Sequence, residues 1–194
     1  MPIGIQEREA LAVHRRDERA IDRPCDERPG AAGFQRARGA AAALSAAGLN
    51  GLVNAGGDLR AAGAAPDDAP FRVGVRNPVK TAQLLAEIDL APGQAVATSG
   101  TYEQRFQLEG RAVTHLLDPR SGEPVDDVLS ATVLAPTAME ADALATAACV
   151  LGGEEALRIL GALPGIEALL VTRAGAGYRV DATSGLRARM LGSV

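Results

Sequence analysis

Asp142 and Thr146 stand four residues apart in the run Glu140–Ala147 (EADALATA), so a helix there puts a carboxylate and a hydroxyl on one face. Oxygen donors of this kind suit a hard cation such as Mg²⁺. That ion commonly takes one or two protein carboxylates and leaves its other positions to water and substrate phosphates. The same spacing also fits a plain helix in which Asp142 complements the positive end of the dipole and Thr146 packs. Spacing alone leaves both readings open.

A second constellation is the run Thr114–Pro124 (THLLDPRSGEP), a strand entering a turn fixed by Pro119 and Gly122. Loops at strand ends are where a rigid scaffold presents functional side chains. His115, with an unperturbed pKa near neutrality, is a proton-transfer or hydrogen-bonding candidate. The alternative is a structural histidine with Asp118 capping its own turn. A third run, Asn54-Ala-Gly-Gly-Asp58, offers two glycine N–H groups to an anion, or forms a simple turn. A fourth, Ala97-Thr-Ser-Gly-Thr-Tyr102, ends a strand in hydroxyls, but residue order alone assembles no Ser-His-Asp triad.

The elements that must position these groups are mostly strands. Residues 1 to about 28 are dense in Arg, Asp and Glu, and predict at best a weak helix over Gln6–Arg19, or no order. An Ala-rich helix is expected over Gly39–Ala47, stopped by Gly48, followed by a short strand at Leu52–Val53 that leads into the glycine turn. Further strands are expected at Phe71–Val75, Leu84–Leu90, Gln94–Thr98, Gln104–Leu108, Arg111–Leu117 and Leu129–Ala135, with Glu109-Gly110 turning one pair into a hairpin. Thr137 with Glu140 three residues on reads as a capping box for a helix to about Leu151. A second helix is expected over Glu154–Leu163, then strands at Ala168–Arg173, Tyr178–Asp181 and Leu186–Leu191. Hairpin-linked strands with grouped helices predict an α+β fold with a mostly antiparallel sheet.

Composition narrows the partners. The 194 residues hold 20 Lys+Arg against 24 Asp+Glu, a net charge of −4, with 47% apolar residues. That suits one globular domain with a real core. With no basic cluster, no nucleic-acid partner is expected. No apolar run reaches the roughly 18 residues of a transmembrane segment. Cys25 and Cys149 form no CxxC pair and imply neither a disulfide framework nor a zinc site. The N-terminus shows no signal-peptide core and no lipobox, so a soluble chain is expected and the compartment stays open.

Taken together, NAGGD at Asn54–Asp58, VGVRNP at Val73–Pro78, ATSGTYE at Ala97–Glu103, HLLDPRSGEP at His115–Pro124 and EADALATA at Glu140–Ala147 resemble the FAD:protein FMN transferase (ApbE) family. The resemblance runs from about Asp26 to the C-terminus and covers only the C-terminal portion of a typical member. It therefore implies an atypical segment over residues 1–25, a partial ApbE-like domain over 26–194 of T-fold-like architecture, and a truncated or divergent member whose N-terminal half is missing. The implied activity is Mg²⁺-dependent cleavage of FAD, with transfer of FMN to a Ser or Thr of an acceptor flavoprotein and release of AMP. The acceptors implied include subunits of membrane redox complexes, and typical members work in the periplasm or anchored to the inner membrane. The alternatives are an inactive Mg²⁺- and flavin-nucleotide-binding remnant, an interaction protein, or an FAD hydrolase.

By that resemblance the metal ligands fall on Asp142 and Thr146, with the carbonyl of Pro29 completing the site. Flavin contacts fall on Asp26, His115, Leu116 and Asp118, and His115 is the catalytic proton-transfer candidate. Gly33, Phe34 and Arg38 fit the family's stretch before the alanine helix. The family's lysine there falls on Ala32 and an aspartate on Ala37, so a charge that meets FAD is absent at that position.

Overall fold

The computed structural model describes residues 10–14, 20–24, 33–101, 105–108, 111–188 and 190–191. In chain order its elements begin with β1 (Ala10–His14), β2 (Ala20–Pro24), α1 (Gly33–Ala46), β3 (Asn50–Ala55), β4 (Asp58–Ala62), β5 (Phe71–Arg76), β6 (Leu84–Leu90) and β7 (Ala95–Gly100). They continue with β8 (Arg105–Leu108), β9 (Arg111–Thr114), β10 (Val128–Ala135), α2 (Ala138–Leu151), α3 (Gly153–Leu160), β11 (Glu167–Ala174), β12 (Gly177–Ala182), α4 (Ser184–Arg187) and β13 (Met190–Leu191). Eight strands form one sheet in the order β12-β11-β10-β7-β4-β3-β1-β2; β13-β6-β5 form a second and β8-β9 a ribbon. The strand pairings in all three are antiparallel, so the α+β expectation holds.

Alternation along the strands sorts side chains between two faces. Ala95 and Ala97 of β7 join the core under the helices, whereas Val96 joins the core shared with the small sheet. Helices α1 and α2 pack on β3, β4, β7 and β10, and α3 packs on β11. Beneath the helices lie Ala37, Ala41 and Leu44 of α1 and Ala138, Ala141, Ala145 and Ala148 of α2. On the opposite face Phe71, Val73 and Val75 of β5 and Ile88 and Leu90 of β6 meet Leu129, Leu134, Leu169 and Val171.

Three local readings change, and one strand, β4, is added after the glycine turn. α1 starts at Gly33 rather than Gly39, because the buried stripe Ala37-Ala41-Leu44 already runs at helical spacing; Gly39 lies on the exposed face, where it costs about 1 kcal/mol against Ala but stops nothing. The glycine turn is the tip of a hairpin: Gly56 and Gly57 have φ of 70° and 98°, and β4 follows directly. Paired positive φ values are what a two-residue hairpin turn of type I′ requires. Ala10–His14 is a strand paired with β3, not part of a helix; the rest of Gln6–Arg19 lies outside the described residues. Last, the strand expected over Leu186–Leu191 is a helical turn, α4, followed by a two-residue strand. The Glu167 carboxylate accepts from the Leu186 N–H at 3.0 Å and from the Thr183 hydroxyl, holding that turn in place.

Candidate active site

α2 begins as its sequence dictates. Thr137 is the N-cap, with its hydroxyl oxygen accepting from the Glu140 N–H at 3.2 Å. The reciprocal half of the capping box differs, since the Glu140 carboxylate accepts the Thr137 hydroxyl proton at 2.7 Å. This start fixes the helix rotation. Ala138, Ala141, Ala145 and Ala148 face the sheet, and Asp142 and Thr146 lie beside that stripe, half-buried.

Facing them is the end of β7. Ser99 follows Ala95 and Ala97 in period two and therefore points toward α2, where its hydroxyl and that of Thr146 are 2.9 Å apart. The Cys149 thiol donates to the Ser99 carbonyl at 3.6 Å, a further tie between helix and strand. Thr98 has the opposite orientation and pairs with Thr132 at 2.8 Å. Asp142, Thr146, Thr98, Ser99 and Gly100 line a cleft of about 300 Å³. Its other walls are Ala55, Gly56 and Asp58 of the β3–β4 hairpin, Arg36 of α1 and His115 just after β9. Burial pushes the Asp142 carboxyl above its usual value near 3.8, and a cation beside it would favour the ionised form again.

The donor set fits a hard cation. It consists of oxygens: the Asp142 carboxylate with the Thr146 and Ser99 hydroxyls. Among the described residues no group of three or more His, Cys, Asp or Glu forms a cage. Waters and substrate phosphates would therefore complete the shell, as Mg²⁺ favours.

The cleft thus joins Asp142, Thr146 and His115, which lie in two separate runs of the sequence. Leu116 and Asp118 do not line it. Leu116 is buried in the core beneath the helices. Asp118 organises its own loop: its carboxylate accepts from the Arg120 backbone N–H at 2.9 Å and pairs with the guanidinium at 2.8 Å, and its carbonyl accepts from Gly122 at 2.7 Å. The Arg120 side chain holds the Asp118 carboxyl below its usual value. Val125 donates to the Leu116 carbonyl at 3.0 Å, which closes the loop and ends β9 at Thr114 rather than Leu117. Asp26 and Pro29 lie outside the described residues. In the glycine turn, the Gly57 N–H donates to Asn54 Oδ1 at 3.0 Å, so the turn reading of that run holds. Arg36 carried no sequence signal; nothing in local spacing ties it to residues a hundred positions away.

The α+β fold thus carries an oxygen-lined cleft between a capped helix and a strand end, a donor set that fits a hard cation. The sequence profile of the ApbE family matches residues 31–170. The FAD:protein FMN transferase of Escherichia coli (strain K12) is 33% identical over 129 residues, covering 66% of this chain and 36% of that protein. The Rhodobacter capsulatus FAD:protein FMN transferase is 37% identical over 153 residues, covering 78% and 28%. Among solved structures, the flavinyl transferase ApbE of Pseudomonas stutzeri in its apo form superposes with a TM-score of 0.69 at 32% identity, over 84% of this chain and 51% of that one. The ApbE protein of Thermotoga maritima gives 0.71 at 32% identity, over 82% and 51%. The chain belongs to the ApbE family. It spans about a third of those curated relatives and about half of the solved structures.

Proposed function

We propose that this chain carries the nucleotide- and cation-binding part of an FAD:protein FMN transferase. The observation that carries the reading is the convergence of Asp142, Thr146, Ser99 and His115 on one cleft in a chain of this family. Asp142 and Thr146 would hold Mg²⁺, with the Pro29 carbonyl as a further ligand, and Ser99 sets the direction of the Thr146 hydroxyl. The cation would supply charge neutralisation at the diphosphate of FAD. The loop after His115, shaped by Leu116 and Asp118, borders the flavin in this reading, and Asp26 adds a contact.

The reaction proposed is attack by a Ser or Thr hydroxyl of an acceptor flavoprotein on the FMN phosphorus. The new O–P bond forms as the P–O–P anhydride breaks, AMP leaves, and His115 takes the hydroxyl proton. His115 is exposed at the cleft mouth, where a protein substrate can reach it. That openness also favours a second reading, in which water replaces the acceptor and FMN is released free.

The test is a fluorescence titration of FAD with and without Mg²⁺, followed by an assay for protein-bound and free FMN. Mg²⁺-dependent binding is expected, abolished in Asp142→Ala and weakened less in Thr146→Val, since a neutral hydroxyl contributes less than a carboxylate to a hard cation. Mg²⁺ dependence that survives Asp142→Ala removes the site from consideration.

A further inference from the structure

Resting on the reading above, we infer that Arg36 is the residue that grips the phosphate oxygens of the nucleotide diphosphate in the cleft. Its place on α1 aims it there. Ala37, Ala41 and Leu44 form the buried stripe of that helix, and Arg36 lies half-buried beside it, on the flank shared with the partly buried Ala40. Helical side chains lean toward the N-terminus, and from the first turn of α1 Arg36 lines the cleft together with Ala55, Gly56 and Asp58 of the β3–β4 hairpin. α1 and α2 pack against each other, so Arg36 and the Asp142–Thr146 pair stand on different walls of one cleft.

Charge makes this position matter. The cleft presents two carboxylates, Asp58 and Asp142, and without a cation it repels a dianionic diphosphate. A divalent ion at Asp142 only cancels those two charges. Among the described residues lining the cleft, Arg36 is the side chain that stays cationic at any physiological pH, and it turns the balance positive. A guanidinium also presents paired N–H donors in the fork geometry that matches phosphate oxygens. An ammonium at the same place acts only as a point charge.

The test titrates FAD, in the presence of Mg²⁺, into the full chain and into two variants that keep the Arg36 stem, Arg36→Met and Arg36→Lys, with thermal melts as the folding control. Arg36→Met is expected to bind FAD about tenfold to a hundredfold more weakly, with a shallower dependence on salt, and Arg36→Lys to fall between it and the parent. The Mg²⁺ dependence persists in both, because Asp142 and Thr146 are intact. If the parent binds FAD and Arg36→Met binds equally well, or Arg36→Lys binds no better than Arg36→Met, the assignment of Arg36 is overturned while the functional reading stands. If the parent chain shows no Mg²⁺-dependent FAD binding, the functional reading fails and the assignment with it.

Discussion

The two faces of the eight-stranded sheet are built from the same strands and have different contents. Among the described residues, alanine makes up 14 of the 23 buried residues in the cluster under the helices but 2 of the 13 in the cluster under the small sheet. Small residues let α2 lie close to β7, and at that distance side chains as short as Ser99 and Thr146 meet directly. The opposite face is filled by Leu, Ile, Val and Phe, and supplies area removed from water rather than a site. Close approach makes the cleft, and bulk on the other side stabilises the sheet that carries it.

Two substitutions press on that difference. Leu90→Ala on the bulky face, at a fully buried position of β6, is expected to lower stability by about 2–5 kcal/mol in urea unfolding. FAD affinity per folded molecule should stay at the parental value; a loss matching that of Asp142→Ala would mean the faces do not act separately. Ala141→Leu on the alanine face adds volume where none is free, and an overpacking penalty of about 1–3 kcal/mol is expected. Here FAD affinity should fall together with stability, because lifting α2 from β7 parts Thr146 from Ser99. A variant as unstable as this but with parental affinity would show that the close approach is not what forms the cleft.

The smallest effect belongs to the loop that borders the cleft without lining it. Because Arg120 depresses the Asp118 carboxyl, the pair contributes stability above the usual carboxylate value near 3.8, and that contribution is lost as pH falls through the lower native value. Asp118→Asn should remove this acid-range dependence and lower the melting temperature at neutral pH only slightly, by the same small amount that the parent loses on acidification, as expected of a solvent-screened ion pair. Melts between pH 2 and 7 check it, and identical acid profiles for the two proteins would contradict it.

Much of this was legible in order and spacing. Thr137 and Glu140 announce α2, and the helical period then puts Asp142 and Thr146 on one side of it with no reference to the rest of the chain. Period-two alternation marks β5 and β6, and Leu84–Leu90 matches to the residue. Where the local signal misled, a distant contact overrode it. Gly39 does not mark the start of α1, because the stripe Ala37-Ala41-Leu44 begins before it and is buried against the sheet. Leu186 is held in a helical turn by Glu167, 19 residues upstream.

The sequence by itself determined the periods, the caps, the turn at Gly56-Gly57 and the oxygen-donor character of α2, because these depend on neighbours within a few residues. Only the tertiary structure decided which of those residues share a cleft. Pairing β4 with β7, and β7 with β10, brings Asp58 and Ser99 to one cleft and sets α2 over the strands that carry them, while α1 packed across β3 and β4 delivers Arg36. Such proximity comes from sheet order and from the thickness of an alanine layer, and neither has a local code.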